Sequence, residues 1–138
     1  MLITPFSDLV SEAEEIQEFV NEDYSDMADS PDIIKERGNK LSSYIARTGC
    51  MLADAKYHLN EQRKDEVVKA IEQILLEGKL SAGVQNALIE SICKAEQRLV
   101  DQIEQLNKTS KYQLEWCRSK LSIAKEEMNL SRKWNYNT

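Results

Sequence analysis

Between Lys108 and Lys133 the sequence sets seven bases (Lys108, Lys111, Arg118, Lys120, Lys125, Arg132, Lys133) against three acids (Glu115, Glu126, Glu127), with Tyr112, Trp116, Trp134 and Tyr136 among or beside them. Cations neutralise phosphate and aromatic faces stack on nucleobases, so this pattern suits a contact with single-stranded nucleic acid. Lys111, Trp116, Arg118, Lys120 and Lys125 are the candidate nucleic-acid-binding residues. The same residues also have a purely structural reading. In it Tyr112 and Trp116 flank an apolar seam, the bases pair with acids one turn away, such as Lys111 with Glu115, and the chain end is a solvated tail.

A second cluster runs from Arg47 to Tyr57 and combines small residues with bases and a tyrosine. Small residues let an anionic group approach bases such as Arg47 and Lys56; in a helical protein the same residues also mark a tight helix crossing. The single histidine, His58, lies one position off the apolar seam, which suits a surface or half-buried role. Cys50, Cys93 and Cys117 are spaced like neither a zinc site nor a redox pair and read as core residues. The helix-spaced acids Asp65, Glu66 and Glu72 lack the E-x-x-H partner of a di-iron bundle. With no Gly-rich phosphate loop, H-E-x-x-H or G-x-S-x-G element, the sequence predicts no enzyme, no catalytic residue, no metal site and no cofactor.

The elements that position these residues are helices. The 138 residues suit one domain, and 4 glycines and 2 prolines are too few for the turns of a sandwich or barrel. The expectation is an all-α fold: a long antiparallel helical hairpin, coiled-coil-like or bundled, with a short N-terminal amphipathic helix. That helix, from about Asp8 to Asn21 with Ser7 as cap, places Leu9, Val10, Ala13, Ile16, Phe19 and Val20 on one face. Residues 1–30 form an acidic arm with nine acids and no Lys or Arg, whereas the rest of the chain is mildly basic.

Residues 31–131 form the hairpin, with its turn near 77–81. Ser30 and Pro31 open a helix whose seam runs through Ile34, Leu41, Ile45, Thr48, Leu52, Ala55 and Leu59. The apolar frame shifts near Asn60–Asp65, yet the lack of Pro or Gly from Cys50 to Glu77 favours one long helix of about 45 residues. Gly78 is the interior stop, and Ser81 can cap a third helix from about Ala82 to Leu130, with a seam including Leu88, Ile92, Ala95, Leu99, Ile103, Leu106, Ser110, Leu114 and Cys117. Asn107–Ser110 is its weakest stretch by propensity, and a bend there would give a four- or five-helix bundle instead. Residues 132–138 are expected to be a flexible tail. Two such helices leave apolar stripes uncovered, so a homo-oligomer, dimer or higher, is expected. No signal-like segment opens the sequence and no apolar run nears the roughly 20 residues of a membrane span, which predicts a cytoplasmic protein without a membrane partner.

The stretches Ala46–His58, Leu106–Thr109 and Gln113–Met128 resemble small helical proteins encoded by phages and prophages of Bacteroides-type gut bacteria. The resemblance covers residues 31–130, leaves the acidic arm outside, and carries over no functional residues. It implies a cytoplasmic phage or mobile-element accessory protein of DNA recombination or replication. The functional expectation is therefore a non-enzymatic, oligomeric helical accessory protein that meets single-stranded nucleic acid or a protein partner. Two alternatives stand beside it: an inhibitor of a host defence protein, acting through the acidic arm, and a sponge for a small anionic nucleotide near Arg47 and Lys56.

Overall fold

Pro5, in extended conformation at φ −58° and ψ 148°, starts the first helix, α1 (Phe6–Asn21), and its carbonyl accepts the first helical bond from the Leu9 amide at 3.1 Å. The helix thus begins two residues before the expected Asp8, and Ser7 lies inside it rather than capping it. In the computed structural model of the chain, residues 2–24, 30–78 and 81–136 are described. Helix α2 (Pro31–Glu77) runs unbroken for 47 residues, about 70 Å at 1.5 Å per residue, straight through Asn60–Asp65. Pro31 occupies its first turn; Ser30 is extended and makes no side-chain cap. Gly78 ends α2 in the left-handed region, at φ 65°, with its amide bonded to the Ile74 carbonyl at 3.1 Å. Of the turn that follows, Lys79 and Leu80 lie outside the described residues.

The return limb departs from the expected single helix. It is split into α3 (Ala82–Glu90) and α4 (Lys94–Tyr136), with a break at Ser91–Cys93 where Cys93 takes φ 62°. No Gly or Pro marks this point, so local propensity does not cause the break; it buries Cys93 to 8% exposure. Ser81 does cap α3, its hydroxyl accepting the Val84 amide at 3.3 Å. The weak stretch Asn107–Ser110 does not bend, because it is tied across the seam: the Asn107 amide donates to the Ile45 carbonyl at 3.1 Å and to the Thr48 hydroxyl at 2.9 Å. Helix α4 continues as far as Tyr136, exposed from Lys125 to Asn135, over most of the span expected as a tail; Asn137 and Thr138 lie outside the described residues.

The fold is all-α, with α2 and α4 packed against each other as the two limbs of a hairpin. Helix α1 is docked on both limbs and buries Leu9, Ala13, Ile16 and Val20 against them. It runs antiparallel to α2, since Phe6 meets His58, Glu12 meets Arg47 and Phe19 meets Arg37. A three-helix core results, with Ile34, Leu41, Met51, Ala55 and Leu59 of α2 facing Leu99, Ile103, Leu106 and Cys117 of α4. Ala95, expected in the seam, is exposed. Beyond Leu59 α1 no longer covers the two limbs among the described residues, and Val68, Ile71, Leu75 and Leu76 stand more than half exposed. No helix is long and apolar enough to cross a membrane among the described residues.

Candidate functional site: a basic stripe on α4

The C-terminal end of α1 determines how α4 is turned. The last carbonyls of a helix lack internal partners, and here two buried side chains supply them. Arg37 of α2 donates to the Phe19 carbonyl at 3.2 Å, and Gln113 of α4 donates to the Val20 carbonyl at 2.8 Å. The two donors are joined, since the Arg37 guanidinium also donates to the Gln113 side-chain oxygen at 2.7 Å. Glu22 lies 3.5 Å from the guanidinium, which stacks over the rings of Phe19 and Tyr24. The positive charge also complements the negative end of the α1 dipole. Composition alone gives no hint of this clamp: Arg37 is 4% exposed, although charged residues are almost never buried unless paired.

With Gln113 and Trp116 turned towards α1, the five candidate binding residues fall on two sides of α4. Trp116 packs edge-to-face on Tyr24 at 4.9 Å between centroids, and the Lys120 ammonium lies 5.9 Å from the Trp116 ring. Those two therefore belong to the α1 side. Two residues of helix rotate by about 200°, so Arg118 faces away from Trp116. Lys111, Arg118 and Lys125 recur every seven residues, all exposed, and Arg132 continues the series. Each step is about 10.5 Å of helix, so the four bases form one stripe about 30 Å long. Arg132 is one of the seven local bases but not one of the five candidates; the signal that identifies it is the seven-residue spacing. Of the aromatics, Tyr112 and Trp134 are well exposed, and Trp116 is half-buried.

The second cluster is occupied from within. Arg47 donates to the Glu12 carboxylate at 2.7 and 2.9 Å and approaches the Thr4 hydroxyl at 3.4 Å. The bond to Glu12 raises the guanidinium pKa above its ordinary value, against a smaller opposing effect of burial. Asp54 accepts the Thr4 amide at 3.2 Å, His58 Nε2 donates to the Thr4 carbonyl at 2.6 Å, and Lys56 faces Glu104 at 3.9 Å. Arg47, Asp54 and His58 fasten the segment before α1 to the hairpin through Thr4. Burial raises the thiol pKa values of Cys93 and Cys117, reinforced by Glu96 and Glu66 at Cys93 and partly offset by Arg37 at Cys117. Cys50, expected in the core, is instead exposed. Among the described residues no group of three or more His, Cys, Asp or Glu side chains is placed to hold a metal ion.

What the arrangement offers chemically is a line of cations on one side of the bundle and, on α1, the exposed acids Asp8, Glu14, Glu15 and Glu18 on the other. Comparison of the chain with protein-family models, with curated proteins and with solved structures gave no match.

Proposed function

We propose that this chain is a non-catalytic, oligomeric helical accessory protein that uses the basic stripe of α4 to hold the phosphate backbone of single-stranded nucleic acid. The observation that carries the reading is the alignment of Lys111, Arg118, Lys125 and Arg132 along one exposed line. Side chains that follow a helix at constant pitch can neutralise phosphates at intervals along a strand without reading sequence. The role in phage or mobile-element recombination or replication rests on the resemblance of residues 31–130 to small phage and prophage proteins.

The test is binding of a labelled oligonucleotide over a range of salt. Affinity falls as salt rises, and replacing Lys111, Arg118, Lys125 and Arg132 by Ala flattens the log–log slope by about 0.7 for each phosphate that is no longer neutralised. Lack of binding at low salt, or a slope indifferent to the four substitutions, overturns the reading.

The exposed acids of α1 favour a second reading, in which that face imitates a phosphate ladder and blocks a basic cleft on a host defence protein. Because α1 is part of the core, the discriminating variant neutralises Asp8, Glu15 and Glu18 rather than removing the arm. A stoichiometric host partner that fails to bind after neutralisation supports this second reading, and one retained undiminished refutes it. The nucleotide-sponge reading is not favoured, because Arg47 and Lys56 already face Glu12 and Glu104.

A further inference from the structure

The two charged faces are opposite in sign. On α1, Asp8 and Glu15 lie seven residues apart with Glu18 beside them, all exposed, and the helix contains no base. On α4, Lys111, Arg118, Lys125 and Arg132 recur at the same interval. Seven residues of either helix span about 10.5 Å, so Asp8 and Glu15 match one step of the basic stripe. The two faces lie apart: α1 packs on the flank of α4 that bears Gln113 and Trp116, Asp8, Glu15 and Glu18 of α1 are exposed, and the basic stripe lies on the far flank of α4. The acidic face of a molecule cannot reach its own stripe. It can reach that of a neighbour.

We infer that copies of this chain associate head to tail, the acidic face of α1 in one copy seated on the Lys111–Arg132 stripe of α4 in the next. A closed two-fold dimer would need both patches on one side of the molecule, whereas patches on opposite sides generate an open series. The charges are exposed, so the association is weak and salt-sensitive. It also uses the stripe assigned above to nucleic acid, and so rests on that reading of the stripe as an anion receiver. Polyanion and neighbouring copy then compete, and the free oligomer dissolves as nucleic acid binds.

Sedimentation of the full chain tests this at up to about 500 μM and about 20 mM salt, where the screening length is about 20 Å. The wild type is expected to grow beyond a dimer with concentration and to return to monomer at about 500 mM salt. One variant reverses α1 (Asp8→Lys, Glu15→Lys, Glu18→Lys) and another reverses α4 (Lys111→Glu, Arg118→Glu, Lys125→Glu), with helicity monitored by circular dichroism. Each alone is expected to be monomeric, and an equimolar mixture is expected to associate again, because each variant supplies the charge that the other lacks. A monomeric wild type, association that survives either reversal, or a mixture that stays monomeric overturns the inference. Oligonucleotide binding by the wild type is read separately. If the wild type binds the oligonucleotide but fails to self-associate, the head-to-tail contact falls and the nucleic-acid reading stands.

Discussion

The hairpin has two halves built from the same kind of helix and stabilised very differently. In the half nearest α1, the two limbs and the docked helix enclose Leu9, Ile34, Leu41, Met51, Ile103 and Leu106, each at 1% exposure or less. In the half beyond Leu59, α2 faces only α3 and the start of α4, and Ala70 and Cys93 are the buried apolar side chains there among the described residues. Composition does not cause the contrast, since the distal stretch carries Val67, Val68, Ile71, Leu75 and Leu76. A pair of helices covers one stripe on each; a third helix is required to shelter a wider face. Most helix stability in proteins comes from such packing, so the proximal half should govern global unfolding.

The widest separation between the halves comes from one kind of truncation made in each. Ile103→Ala is expected to cost about 3–4 kcal/mol in denaturant unfolding, whereas Ile71→Ala, half-exposed in the distal arm, should stay within about 0.5 kcal/mol. Similar costs at the two sites would erase the distinction. Next in size is the clamp. Gln113→Ala removes one acceptor of the buried Arg37 guanidinium, leaving the Phe19 carbonyl and Glu22, together with the donor to the Val20 carbonyl, and should cost about 2–3 kcal/mol. A loss below about 0.5 kcal/mol would mean that α1 is held by its apolar face alone. The smallest effect sharpens the boundary between the halves. Inside a helix Gly is worse than Ala by about 1 kcal/mol, but at a left-handed position the order reverses by a similar amount. Cys93→Gly should therefore be more stable than Cys93→Ala; the opposite order would restore one continuous helix from Ala82 onwards.

The contrast also marks where sequence and structure part. The periodicity of α1, the length of α2 and the stop at Gly78 were legible because each rests on local chemistry: spacing, the lack of breakers and a residue suited to positive φ. The break at Ser91–Cys93 was not, because none of these residues ends a helix by itself. Asn107–Ser110 misled in the other direction. Its first residue, Asn107, is tied across the seam to the Ile45 carbonyl and the Thr48 hydroxyl, which the chain alone does not display. At the candidate site the bases were legible as a cluster, but which of them share a face depended on the rotation of α4. That rotation follows from Gln113 reaching Val20.

The Arg37–Gln113 pair also constrains the alignment of the long limbs. Sliding α4 by one turn would displace Gln113 by about 5.4 Å, enough to break its bonds to both Arg37 and the end of α1 at once. Apolar ridges tolerate such slippage far better than a polar junction shared by three helices, so this one junction works as an index pin, selecting a single register along two otherwise repetitive rods.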